Sequence, residues 1–173
     1  MKFTLALPVC ALLALPLMAA DESKPQAKFA AEYGKHWKTA RDLTLAVADA
    51  MPADGYGLKP DPGEMSFGEQ ISHIAQANYG YCSAFTKAKS PFTKPANFDK
   101  ETVMKLAGDS FDYCSEIIGA LTEDQLNEMR GPEGRQSSLR EVMLGAFTHM
   151  AHHRGQAEVY LRVKGIKPPQ YKF

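Results

Sequence analysis

The residues best suited to chemistry in this chain gather between Thr148 and Gly165. Three of the five histidines lie there: His149, His152 and His153. On a helix His149 and His153 stand one turn apart, i to i+4, so their rings emerge one above the other on one face. Such a pair is a two-point clamp for a borderline transition metal, because both imidazoles can bring a nitrogen to about 2.0–2.1 Å from one ion. Two ligands alone seldom hold an ion tightly, so a third has to come from elsewhere. Met150 stands where a His-Glu-x-x-His motif carries its glutamate, which disfavours a zincin-type peptidase.

The segment that carries the pair is itself helical in pattern. Leu139, Met143, Ala146, Met150, Ala157 and Leu161 fall on one apolar stripe at about 100° per residue, with the histidine pair at its edge and His152 turned toward solvent. Ser138-Leu-Arg-Glu141 reads as a capping box at its start. Gly165 followed by Pro168-Pro169 ends it.

Three further helices are expected. The first runs from about Pro25 to Ala50 on the stripe Phe29, Tyr33, Trp37, Ala40, Thr44, Val47 and Met51, with His36 at its edge. The second opens with the capping box Ser66-Phe-Gly-Glu69 and reaches about Lys87 on Phe67, Ile71, Ile74, Asn78, Tyr81 and Phe85, in which only Asn78 breaks the apolar pattern. His73 lies about 120° from that stripe, in a row with Ala77, Gly80 and Ala84, small residues that leave room for a neighbouring helix or a cleft. The third is capped by Asp99 and runs to about Leu121 on Val103, Ala107, Phe111, Cys114, Ile117 and Ile118. The Pro- and Gly-dense stretch 51–65 reads as a loop packed over one end of the bundle, with Tyr56 and Leu58 as its anchors. Residues 88–98 form a second loop, 121–126 a turn with a short helical piece, and 131–136 a third loop. No convincing strand or internal repeat is found.

At 173 residues and 45% hydrophobic content the chain can bury one domain's core. Lys2 and the apolar run to Ala20 read as a signal peptide over residues 1–20, followed by a polar leader at 21–27; an uncleaved anchor is the alternative. The expected address is therefore periplasmic or secreted, with no stable membrane insertion after cleavage. Loss of Lys2 takes the formal net charge from 0 to −1, so no basic footprint for nucleic acid remains. Cys10 leaves with the signal, and Cys82 and Cys114 read as buried, inert thiols in preference to a disulfide.

Taken together, His73 in Phe67-Gly-Glu-Gln-Ile-Ser-His-Ile-Ala75, the downstream His149-x-x-His-His153-Arg-Gly-Gln156, Tyr160-Leu-Arg-x-x-Gly165 and the loop Ala50 to Pro62 resemble the DinB/YfiT-like family over roughly residues 28–169. The resemblance implies an all-α four-helix bundle with long irregular loops and a metal held by three histidines. These map onto His73, His149 and His153, with His36 in reserve. Three neutral imidazoles leave positions open for water or substrate, and an ion so held lowers the pKa of bound water toward about 7 or keeps a thiol as thiolate. Zinc is the default by ligand type, and nickel, iron and manganese are also admitted.

Gln156 and Tyr160 continue the row of His149 and His153 and are the candidate catalytic residues. His152 is expected to be exposed, with a proton-transfer role as the alternative. Arg154 is expected to pair with a carboxylate on a neighbouring helix, with an acidic group of a substrate as the alternative. Relatives of this fold transfer low-molecular-weight thiols to electrophiles or isomerise substrates through a thiol cofactor. The resemblance therefore implies a small-molecule substrate, a thiol or an electrophile, and admits a homodimer. Export suits a metal-assisted hydrolase better. The competing class is a non-catalytic metal-binding or interaction bundle.

Overall fold

The computed structural model describes residues 27–171. The expected signal peptide, Pro25 and all but the last residue of the leader lie outside the described residues. Four long helices are present: α1 (Lys28–Ala50), α2 (Phe67–Thr86), α3 (Lys100–Gly119) and α5 (Leu139–Val163). A short α4 (Glu123–Asn127) and two two-residue strands, β1 (Met129–Arg130) and β2 (Ser137–Ser138), fill the connection between α3 and α5. Among the described residues no helix is long and apolar enough to cross a membrane.

Local chemistry sets the helix limits. Ser66 accepts from the Glu69 amide at 3.2 Å while the Glu69 carboxylate accepts from the Ser66 amide at 2.7 Å, closing the expected box before α2. Asp99 accepts from the Thr102 amide at 2.9 Å before α3. Ser138 performs only half of its expected box, accepting from the Glu141 amide at 3.3 Å. The antiparallel ladder of β1 and β2 corrects the expectation of no strand: Gly131 and Gly134, at φ 110° and 79°, turn residues 131–136 into a hairpin too short to leave an alternating pattern. At the end of α5 the amides of Gly165 and Ile166 donate to the carbonyls of Arg162 and Leu161, around Gly165 at φ 74°. This is a Schellman closure, as the glycine and the following prolines lead one to expect.

Each long helix buries one stripe. α1 and α2 lie diagonally opposite, each packed on α3 and α5. Trp37, Phe67, Phe85 and Phe111 are fully buried, each worth about 1.5–3 kcal/mol in transfer terms. The polar groups of two buried aromatics of α1 are satisfied across the bundle: Trp37 Nε1 donates to the Phe111 carbonyl at 3.3 Å and the Tyr33 hydroxyl to the Met143 carbonyl at 2.8 Å. Asn78 breaks the apolar stripe of α2 without penalty, because its side-chain amide donates to Ser110 Oγ at 3.1 Å, which donates on to the Ala107 carbonyl.

The loop 51–66 crosses one end of the bundle, as expected. Tyr56 is buried against Phe67 with its hydroxyl on the Ala48 carbonyl at 2.8 Å, and the Leu58 and Tyr56 carbonyls accept from the first amides of α2. Gly68 is required there, since a Cβ would overlap the Phe98 carbonyl oxygen and bring α2 into conflict with the entry to α3.

One sequence expectation is overturned between α2 and α3. Cys82 and Cys114 form a disulfide with Cα atoms 5.4 Å apart, rather than resting as separate thiols. Both lie on inward stripes of adjacent helices, and their relative height was fixed only when α2 and α3 docked. Arg154 corrects a second expectation: its nearest carboxylate is Glu158 on the same helix, at 3.9 Å, not one on a neighbour. Burial pulls its guanidinium below the ordinary arginine range.

Candidate metal centre

The two helices that face each other across the bundle edge, α2 and α5, bring the three expected ligands together. His73 sits on the flank of α2, away from the core stripe, which is why it reaches the seam with α5. His149 and His153 sit on adjacent turns of α5. The ring centroids are 4.4 Å apart for His73 and His153, 4.5 Å for His149 and His153, and 5.2 Å for His73 and His149. One ring nitrogen from each lies within 4.8 Å of the other two, and all three residues are half-buried. Two nitrogens bound to one ion at about 2.1 Å are at most about 4.2 Å apart, so rings at the wide end of this spread would turn slightly inward to hold one.

Electrostatics favour the ligand-competent form. Burial, reinforced by His73 and His152, depresses the His149 imidazole, and burial with His73, His149 and His152 pushes His153 down to about 4. Both are neutral at pH 7 and so carry a free lone pair. His149 Nδ1 and His153 Nδ1 are buried without a hydrogen-bond partner. Buried polar atoms in a folded protein normally find partners, and a cation suits a cluster of neutral nitrogen donors. The residues present therefore fit a divalent transition metal.

The amide side chains next to the cluster form a chain. Gln156, half-buried on α5, hydrogen-bonds to His153, which offsets part of that ring's depression. Gln70 on α2, only 2% exposed, donates through Nε2 to Gln156 Oε1, and its own Oε1 is buried without a partner. Sequence reading passed over Gln70. The signal was available, since it is a polar residue one turn before His73 and next to the buried stripe.

The other candidates fall as follows. Tyr160 is buried, its ring 6.0 Å from Phe67 and its hydroxyl donating to the Met65 carbonyl at 2.6 Å, so that group holds the loop 51–66 on α5. Gln156 and Tyr160 do share a small cavity of about 180 Å³ with Pro60, Glu64 and Val159. His152 is exposed, with its ring 5.0 Å from that of His153. His36 is exposed on α1 and is not among the clustered histidines.

His73 also lines two cavities. One, of about 670 Å³, runs along the flank of α2, bounded by Ser90 and Phe92 of the connection to α3 and by Val142 of α5. The other, of about 300 Å³, is bounded by Met65, Glu69, Ser72, Lys94 and Phe98, and the two share His73, Gln76 and Phe92. Of the three clustered histidines, His73 borders both cavities.

Comparison with known proteins bears on the family and the fold. The DinB family model matches residues 24–173. The YjoA protein of Bacillus subtilis is 27% identical over 134 residues, covering 75% of this chain and 87% of its own. The crystal structure of that DinB-like protein superposes with a TM-score of 0.70 at 26% identity, covering 82% of this chain and 97% of its own. A DinB-like protein from Bacillus cereus shares the fold at a TM-score of 0.72 and 20% identity, covering 81% of this chain and 95% of its own.

Proposed function

This chain belongs to the DinB family, and from that premise we propose that it is an exported metal-dependent enzyme whose divalent cation is held by His73, His149 and His153. The observation that carries the reading is the position of His73, which both joins the histidine cluster and lines two solvent-reaching cavities. An ion serving only to tie α2 to α5 would need no such access; open positions beside a cavity are the mark of catalytic sites.

When bound, a divalent cation supplies Lewis acidity and the capacity to hold a thiol or water in its deprotonated form. The chain's own residues prepare that role. Burial keeps the His149 and His153 imidazoles neutral, and Gln70 through Gln156 holds the His153 ring in place. Gln156 is therefore a positioning residue in this reading, and Tyr160 supports the site by fastening the loop beside it. Zinc suits the ligand set, with nickel, iron and manganese as alternatives.

The reaction is thiol transfer to an electrophile or hydrolysis of a small molecule. The Cys82–Cys114 disulfide supports an oxidising compartment, in which low-molecular-weight thiol cofactors are scarce, and so weights the balance toward hydrolysis.

The test is the metal content of residues 21–173, prepared without a histidine tag, beside a His149→Ala/His153→Ala variant. About one ion per chain in the wild type is expected, absent from the variant while far-UV circular dichroism is kept. No ion after reconstitution with zinc, nickel or manganese would overturn the proposal. A cobalt-loaded protein whose visible spectrum ignores added azide would leave only the non-catalytic bundle.

A further inference from the structure

On α2 the flank that begins at His73 continues as Ala77, Gly80 and Ala84, and on α5 Val142 lies two turns before His149. Because the first half of α2 meets the middle of α5 at the histidines and Ala84, near the end of α2, shares a cavity with Val142 at the start of α5, the two helices run in opposite directions. Packed helices normally interdigitate ridges and grooves where they meet. Here the side chains on this flank of α2 are too small to do so, and a groove of about 670 Å³ is left, walled by Tyr81 of α2, Phe92 of the connection to α3 and Val142 of α5. A Cβ built on Gly80 meets nothing within 4 Å. Gly80 also costs its helix about 1 kcal/mol relative to alanine. Neither the glycine nor the open apolar wall stabilises the fold.

The groove has a direction. Tyr81 stands with its ring centroid 5.8 Å from that of His149, so a body lying in the groove abuts the histidine cluster at one end. Its polar lining away from His73 consists of the uncharged Gln76 and Ser90, whereas Glu69 and Lys94 line the second cavity on the other side of His73. One side of the cluster is apolar and aromatic, and the other is charged. The volume lies within the range of small-molecule sites, and the two aromatic walls suit a planar ring.

We propose that the α2–α5 groove seats an uncharged, ring-bearing body of the substrate, whose polar reacting head lies at His73, His149 and His153. The head's place rests on the metal reading proposed above; the body's place does not.

Two arms of one experiment separate these. In the first, the metal-stripped mature chain is titrated with N-phenyl-1-naphthylamine, an apolar fluorophore, beside Gly80→Leu and Ala84→Leu, both exposed positions whose circular dichroism and melting temperature serve as folding controls. The wild type is expected to bind and Gly80→Leu to bind about tenfold more weakly. Absence of binding to the wild type, or binding unchanged in both variants, would overturn the groove. In the second, the cobalt-loaded protein is titrated with 2-naphthohydroxamate and acetohydroxamate. The wild type is expected to favour the naphthyl compound by about tenfold, and Gly80→Leu to lose that preference while keeping its affinity for acetohydroxamate. Equal affinities in the wild type would overturn the link between groove and cluster. Fluorophore binding to a wild type that takes up no cobalt would sink the metal reading and leave the groove standing.

Discussion

Removal of the α2–α3 cross-link gives a stability change that can be worked from the structure. Cys82 and Cys114 are separated by 32 positions and close a loop containing the last turn of α2, the connection 87–99 and most of α3. The chain-entropy relation gives about 3.7 kcal/mol at 25 °C for a loop of that length. Both sulfurs are wholly buried, so Cys82→Ala/Cys114→Ala also loses their packing, about 1 kcal/mol in sum. The variant should therefore unfold about 4–5 kcal/mol more easily, with a melting temperature lower by roughly 10–15 °C. Urea denaturation followed at 222 nm measures the free energy. The slope should rise, because the uncrosslinked unfolded chain exposes more surface. Metal content should stay at the wild-type level, since Cys82 is nine positions, about 13 Å, further along α2 than His73. A loss under about 1 kcal/mol, or two free thiols in periplasmically produced, unreduced protein after denaturation, would refute the reasoning.

Three other outcomes are expected. Gly68→Ala should cost about 2–3 kcal/mol, measured by the same urea titration, because the new methyl meets the Phe98 carbonyl and neither backbone can yield without disturbing a helix cap. Tyr160→Phe should lose about 1–1.5 kcal/mol by freeing the Met65 carbonyl while leaving one ion per chain; loss of the ion would instead put the hydroxyl in the metal site. The metal-free protein should lose stability as pH falls from about 6.5 to about 4, because His149 and His153 are depressed in the fold and the unfolded chain takes up protons first. The contribution is retained above about pH 6.5, and its loss should total on the order of 1–2 kcal/mol, less than the full shift implies because the rings are partly solvated. Urea titrations at stepped pH check this, and the slope should flatten in His149→Ala/His153→Ala.

The sequence by itself determined the four long helices, the caps that open three of them and the i, i+4 histidine pair. These are local matters: an apolar stripe at 3.6-residue spacing, a serine three residues before a glutamate, and a glycine before prolines act within one or two turns. His73 could be named only through family likeness, because nothing within α2 says which helix its flank will meet. The tertiary structure decided that, by docking α2 antiparallel to α5. It decided equally that Cys82 and Cys114 stand 5.4 Å apart, that Gln70 reaches Gln156, and that the Tyr160 hydroxyl is held by Met65. The groove beside His73 is of the same kind. The small residues Ala77, Gly80 and Ala84 permit either close helix packing or a cleft, and only the relative height and separation of two helices distinguish them. Periodicity fixes which face a residue occupies on its own helix; the partner that face meets depends on contacts between segments far apart in the chain.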